Sequence, residues 1–318
     1  MDGQTTAIDR RIIPAAAIES FWNASDGWPI RHIDWPNPPK PRGSLLLLVG
    51  RGDHYEKYLE TLDYYATAGW AVTSIDWRGQ GGSGRLLADP HVGHIDDFAT
   101  WGADLGAFWK IWKAVTPGPH VIIAHSMGGH LVMRALVEQT IDPVAVAMSA
   151  PMLGIQTGGL PLSVNHSFAK LMCRIGKDRQ AAWKVSEKPM SPINLRQKIL
   201  THDKDRYEDE LTWWQLRPEV KLGPPSWHWV ERAIASIQLL DRPGQLEKVE
   251  TPILLLATTA DQLVYTPRII ADSERLPSAE TLIFGAEAAH ELLREVDTIR
   301  DRCLNSIDAF MDKHAPKP

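Results

Sequence analysis

Three residues of this chain could do chemistry together: a serine set among small residues, an aspartate and a histidine. Ser126 sits in Ala124-His-Ser-Met-Gly128, Asp261 in Thr259-Ala-Asp261, and His290 in Ala289-His-Glu291. A serine hydroxyl is a weak nucleophile until a base takes its proton. A neutral imidazole can serve as that base when a carboxylate holds its tautomer and stabilises the imidazolium that forms. The chain order Ser126, Asp261, His290 is one in which this trio assembles at the ends of neighbouring strands. Acyl transfer through a serine is the chemistry it would support. Each residue alone has a plainer reading. Ser126 could lie in an ordinary strand–helix turn, Asp261 could cap a helix, and His290 could be a loop histidine.

The residues around Ser126 decide between these readings. Val121 to Ala124 is a short apolar run that reads as a buried strand. Gly128 and Gly129 follow, and Leu131, Val132, Ala135 and Leu136 then recur at helical spacing. Strand, sharp turn and helix would place Ser126 at the apex of a strained elbow. Small residues are needed there because the strand and helix backbones pass close together, and Ala124 still meets that need. The N–H of Met127, at the helix N-terminus, would point to where an oxyanion forms.

A second oxyanion donor is expected from the loop Gly50-Arg-Gly-Asp-His54, with Arg51 as the donor. The alternative is a plain turn capped by Asp53. Gly50 and His54 are candidates for substrate contact, with a surface position as the plainer reading for His54.

The elements that must position these groups can be read in order. Glu19 to Trp35 reads as a hairpin turning at Ser25-Asp-Gly27. Ser44 to Gly50 is a fully apolar strand, as in the middle of a parallel sheet. A helix is predicted over Tyr55–Ala68, a strand over Trp70–Asp76, and a helix over Ile95–Val115. Trp77-Arg-Gly-Gln-Gly-Gly-Ser-Gly84 lacks the spacing of a phosphate-cradling loop and reads as structural. Further strands are predicted over Pro143–Ser149, Thr251–Thr258 and Ala279–Gly285, and a closing helix over Leu292–Met311. The fold class is α/β: a mostly parallel central sheet flanked by helices. Residues 1–150 and 246–318 would form the core. Residues 151–245 hold no clear buried strand and read as an inserted helical cap. Within it, the charged run Asp203–Glu210 is expected to be a solvated helix face.

Bulk properties narrow the partners. The chain has 318 residues, 44% hydrophobic and 23% charged, with a net charge of −5. That balance offers no basic excess to recruit nucleic acid. Cys173 and Cys303 cannot build a disulfide framework, and no Cys/His spacing suggests zinc. No metal and no cofactor is expected. Met1 to Arg11 lacks the pattern of a signal peptide, and no stretch has the roughly 18 apolar residues of a membrane span. The expected location is cytoplasmic, with peripheral contact at the inner membrane face if the substrate is a lipid.

With these motifs in hand, the chain resembles serine hydrolases of the α/β-hydrolase superfamily. Within it, the chain is similar to the lysophospholipase and monoacylglycerol lipase group, particularly bacterial lysophospholipases of the L2 type. The resemblance rests on Gly50-Arg-Gly-Asp-His54 with Glu56-Lys-Tyr58, Asp76-Trp-Arg-Gly-Gln-Gly-Gly-Ser83, Ala124–Gly129, Asp261 and Ala289-His-Glu-Leu-Leu293. It extends to Thr201–Tyr207 and Gly223-Pro-Pro-Ser-Trp-His-Trp229. One departure is Val49-Gly50, where monoacylglycerol lipases usually carry His-Gly.

The resemblance implies a carboxylic ester hydrolase acting on single-chain acyl lipids. A general carboxylesterase or lactonase for small esters is the alternative, and a non-catalytic binding protein is a more distant one. Trp183, Trp213, Trp214, Trp227 and Trp229 all fall in the insert. Trp227 and Trp229 are the residues expected to line an apolar acyl channel, packing of the cap being the plainer role for the others.

Overall fold

The computed structural model describes residues 8–183 and 193–317. The expectations for the first seven residues, and for the middle of the insert at 184–192, lie outside the described residues. The hairpin forms from β1 (Ile18–Asn23) and β2 (Pro29–Asp34), paired antiparallel with Ile18 opposite Asp34. The core strands are β3 (Ser44–Leu48), β4 (Ala71–Ile75), β5 (His120–His125), β6 (Ala145–Ser149), β7 (Ile253–Thr258) and β8 (Ala279–Phe284). The sheet has eight strands in the order β1-β2-β4-β3-β5-β6-β7-β8. Pairing is parallel from β4 through β8, and antiparallel where the hairpin joins. Every residue of β3 through β7 is buried. That burial explains their unbroken apolar runs: a strand covered on both faces has no solvent side to keep polar.

The connections are helical. They are α1 (Leu59–Thr67), preceded by a short 3₁₀ turn at Tyr55–Tyr58, α2 (Phe98–Val115) and α3 (Met127–Val137). The Asp97 carboxylate caps α2 by accepting from the Ala99 N–H at 2.8 Å. Between β6 and β7 the chain builds α4 (Leu162–Met172), α5 (Ile193–Leu200), α6 (Lys204–Leu216) and α7 (Trp227–Asp241). After β7 come α8 (Thr266–Arg275) and, beyond β8, α9 (Asp297–His314).

The insert is tied to the sheet domain by helix packing and by ion pairs. α4 packs on α7, and α7 in turn packs on α2 and α3. There Ser236 Oγ lies 2.6 Å from His130 Nε2. α6 is anchored separately by its charges. Arg206 donates to Glu60 at 2.8 Å and to Asp297 at 2.7 Å, and Glu210 lies fully buried. This corrects the expectation that Asp203–Glu210 is a solvated face: Lys204, Asp205 and Glu208 are exposed, but Arg206, Asp209 and Glu210 are buried. The charges are there to be paired across an interface, which one-dimensional charge density cannot distinguish from solvation.

The glycine-rich loop after β4 is structural, as read. Asp76 accepts from Tyr55 N–H at 3.1 Å, Gly82 N–H at 2.7 Å and the Arg31 guanidinium. A Cβ on Gly81, which has φ +50°, would sit 2.2 Å from the Asp76 carboxylate. Glycine is required there by both backbone and space.

Candidate active site

Parallel strands deliver their C-terminal ends to one edge of the sheet, and the predicted groups gather there. β3 ends in the loop carrying Arg51, β5 ends at Ser126, β7 leads to Asp261 and β8 leads to His290. Ser126 has φ 50° and ψ −117°, a left-handed-side conformation rarely taken by a residue with a side chain. Such strain costs of the order of 1–3 kcal/mol and persists only where the surroundings impose it. The surroundings do so here. Ser126 N–H donates to Ser149 O at 2.9 Å, while its carbonyl accepts from Met152 at 2.9 Å and His130 at 3.2 Å. A Cβ on Gly128 would lie 2.5 Å from the Val49 carbonyl oxygen, so the close approach inferred from small residues is real.

Ser126 Oγ stands 3.0 Å from His290 Nε2, and His290 Nδ1 stands 2.7 Å from Asp261 Oδ2. A carboxylate only accepts, so Nδ1 carries the proton and donates it to Asp261. Nε2 is then left to accept from the serine hydroxyl. Asp261 is held in turn by the Leu263 and Val264 N–H groups, which donate to its other oxygen at 2.8 and 2.9 Å. His290 and Asp261 are almost fully buried and Ser126 partly so, which sets the electrostatics. Burial alone disfavours the His290 imidazolium, but the charge and hydrogen bond of Asp261 override it, with Glu291 and Asp53 adding to the effect. The result is a pKa above the ordinary histidine value. Asp261 shows the converse: burial raises its pKa, and His290 with the two N–H donors brings it below the usual carboxylate range.

Around this trio the loops are fixed by side chains. Gly50 N–H donates to Asp53 Oδ2 at 3.2 Å and Gly52 N–H to Gln80 Oε1 at 2.6 Å, bracketing Arg51. Gly50 lies against Ser126: a Cβ there would meet Ser126 Cβ at 3.2 Å. Met127 is the first residue of α3, where a helix N–H has no intrahelical acceptor. The Arg51 guanidinium turns toward the insert, donating to Gly223 O at 3.0 Å and lying 5.6 Å from the Trp229 ring.

The remaining predicted residues separate. His54 is fully buried, its Nδ1 2.9 Å from Glu56, so its expected surface position is corrected. Asp53 accepts from Gly50, Lys57 and Tyr58 and does not cap the following turn. Trp229 is buried against Phe98, with ring centroids 5.6 Å apart, on the helix facing Arg51. Trp227 packs instead on Phe168 of α4, at 5.2 Å, within the insert. Trp213 is buried with its Nε1–H on Arg10 O, Trp214 lies beside Arg196 and Lys221, and Trp183 is 42% exposed. Residues missed at the sequence level include Thr258, whose hydroxyl donates to Gly285 O at 2.7 Å and so joins the Asp261 and His290 loops. Glu295 is another. Its carboxylate accepts from Ala289 N–H at 2.8 Å and steadies the chain beside His290. A polar residue closing a buried strand, and an acid shortly after His290, were the available signals. Among the described residues no group of three or more His, Cys, Asp or Glu side chains is arranged to hold a metal ion.

Known proteins of related sequence and fold give the family. The profile of the family described as Serine aminopeptidase, S33 matches residues 39–297, most of the chain. The chain belongs to this family. It is a hydrolase enzyme of the α/β-hydrolase fold, so the reading as a non-catalytic binding protein is set aside. Lysophospholipase L2 of Escherichia coli strain K12 is 31% identical to the hydrolase over 306 residues, covering 93% of this chain and 88% of that protein. A monoacylglycerol lipase of Mycolicibacterium smegmatis is 27% identical over 131 residues, 41% of this chain and 45% of that one. In fold, the hydrolase is similar to a monoglyceride lipase of Saccharomyces cerevisiae, with TM-score 0.72 at 18% identity, covering 97% and 99% of the two chains. It is equally similar to a carboxyl esterase of Bacillus coagulans, with TM-score 0.73 at 19% identity, covering 95% and 100%.

Proposed function

We propose that this hydrolase cleaves the carboxylic ester of single-acyl-chain lipids, lysophospholipid or monoacylglycerol, through an acyl-enzyme on Ser126. The observation that carries the chemistry is the hydrogen-bonded line from Ser126 Oγ through His290 to Asp261. Ser126 Oγ attacks the ester carbonyl as its proton passes to His290 Nε2. The oxyanion accepts from the N–H groups of Met127 and Arg51. The intermediate collapses, the C–O bond breaks, and the departing alcohol takes the proton from His290. Water, deprotonated by His290, then releases the fatty acid. No step calls for a metal or cofactor.

The similarity to lysophospholipase L2 over nearly the whole chain, insert included, supports the lipid side of the reading. So does the outer surface of α4. Val164, Phe168 and Leu171 on α4, with Leu160 just before it and Ile175 just after it, are each about half exposed and recur at spacings of three or four. Exposed Lys170, Arg174 and Lys177 flank them. An apolar stripe with basic neighbours suits transient contact with an anionic lipid surface, as expected for a cytoplasmic enzyme working at the inner membrane face. No helix among the described residues is long and apolar enough to cross a membrane.

The test is a panel of esters of increasing acyl length, with lysophosphatidylcholine and monoacylglycerol, after fluorophosphonate labelling has established Ser126 as the nucleophile. A rise of kcat/KM with chain length supports the proposal. A preference for acetyl esters would favour the small-ester carboxylesterase or lactonase.

A further inference from the structure

Beside the triad lies a buried knot of charge that the reaction itself does not use. Its centre is Lys57, whose ammonium is almost wholly buried. Nζ contacts the Asp53 carboxylate, Glu291 Oε1 at 2.8 Å and Glu210 Oε1 at 3.1 Å. These three carboxylates come from three different parts of the machinery. Asp53 belongs to the loop after β3 and also accepts from Gly50 N–H and from Tyr58 Oη–H at 2.9 Å. Glu291 directly follows His290. Glu210 belongs to α6, in the insert. Arg294 closes on Glu291, and Arg196 closes on Glu210 at 2.6 Å. Three buried anions thus meet three cations. The backbone reinforces the join, because His290 N–H donates to Ile199 O at 3.3 Å and Glu291 N–H to Leu200 O at 2.7 Å.

We infer that Lys57 is a positioning residue: its ammonium locks the oxyanion loop, the His290 loop and α6 into one frame. Residues 199–210 of the insert are then part of the catalytic scaffold rather than of a lid. A buried ion knot is a poor source of net stability, since desolvation offsets much of the attraction. Its use here is geometric. Ammonium donors diverge toward several acceptors, so one lysine can hold two loops and a helix in register, which a methyl group of similar size cannot.

The same knot sets the field at His290. The groups facing that ring are Asp261 and Ser126 on the reacting side, and His125 behind it with ring centroids 4.8 Å apart. Burial and the His290 charge hold His125 down to about 4, so it stays neutral. Glu291 and Asp53 favour the imidazolium. Lys57, Arg294 and Arg196 balance those anions and Glu210. Lys57→Met would leave one negative charge in excess and Glu291→Gln one positive charge. The double variant would be balanced again.

The experiment is the pH dependence of fluorophosphonate labelling of Ser126, read per mole of folded protein from the circular dichroism of each sample. It rests on the reading of Ser126 and His290 as nucleophile and base, and needs no knowledge of the lipid. Wild type should label with an acid limb set by His290. Lys57→Met should move that limb up by about half a unit or more, and lower the plateau rate about tenfold or more. Glu291→Gln should move the limb down, and Lys57→Met/Glu291→Gln should bring it back toward wild type. Midpoints that stay together in all variants, with rate losses that follow only the folded fraction, would overturn the inference. If Lys57→Met does not fold, Glu291→Gln decides alone, and an unmoved limb overturns it. Unlabelled wild type would remove the reading of Ser126 and His290 before any variant is made, and this inference with it.

Discussion

His290 Nδ1 and Asp261 Oδ2 stand 2.7 Å apart in a site where both side chains are almost fully buried. Neither would hold its charge easily there alone. Together each keeps the other ionisable, and that fixes the direction of the pH response. As the proposed base His290 must be neutral, and its pKa is raised, through Asp261 overriding burial. The acid limb of kcat/KM should therefore fall above the free-histidine value of about 6.5. The linkage to stability has the opposite sense. The stabilisation from protonated His290 is fully present below about pH 6.5 and is lost as pH rises through the raised folded value. Asp261, with its pKa lowered, contributes stability above about pH 4 that is lost on acidification through its folded value. A steady-state pH profile, paired with an NMR titration of the His290 ring, checks both. An acid limb near pH 5 would contradict the geometry.

Removing any member of the trio should be severe and not additive. Ser126→Ala, His290→Ala and Asp261→Asn should each lower kcat by roughly three to six orders of magnitude. The double variant Ser126→Ala/His290→Ala should be no worse than Ser126→Ala, because the two act as one unit. Asp261→Asn should also shift the surviving acid limb downward, since it removes the charge that holds His290 up. An Asp261→Asn enzyme with near-normal kcat would mean that another carboxylate serves the histidine.

The elbow makes a steric prediction. Gly128→Ala puts a methyl 2.5 Å from the Val49 carbonyl and 2.8 Å from that of Leu48. Both are backbone atoms of the chain leading into the oxyanion loop, so neither can turn aside. Overpacking of this kind costs about 1–3 kcal/mol. It should also displace Gly50 and Arg51. Thermal melting and kcat should both fall. A variant that keeps wild-type kcat at reduced Tm would show that the loop absorbs the shift without moving the oxyanion donors.

Much of this was legible in the sequence, and the rest has identifiable reasons. The buried strands announced themselves as apolar runs such as Ser44–Leu48. Ser126, Asp261 and His290 were picked out by the order of strand ends, and the structure brings them together. What failed was the reading of charge. Asp203–Glu210 has the composition of a solvated face, yet Asp209 and Glu210 are buried, because their partners Arg10, Arg11, Arg196 and Lys57 lie on distant segments. Pairing across the fold leaves no local pattern. His54 misled because it is buried with its near neighbour Glu56, which Arg31 of β2 pairs in turn. The tryptophans of the insert share a composition but not a role, because alternate positions on α7 face different neighbours.

That difference between Trp227 and Trp229 gives the last prediction. Trp229 lies on the side of α7 that meets Phe98 and the Arg51 guanidinium, close to the oxyanion loop. Trp227 meets Phe168, which is half exposed on the apolar stripe of α4. Each methylene of an acyl chain buried beside Trp229 would contribute ~0.8 kcal/mol, up to about fourfold in kcat/KM. Trp229→Ala should therefore flatten the rise of kcat/KM with acyl length for monomeric esters, while an acetyl ester is hydrolysed nearly as before. Trp227→Ala should leave that series close to wild type. It should instead weaken activity on the same acyl chain presented in anionic vesicles, because α4 loses the ring that seats Phe168. Equal losses on acetyl and long-chain esters in Trp229→Ala would assign that ring to packing alone. Unchanged vesicle activity in Trp227→Ala would remove α4 from the lipid-facing surface.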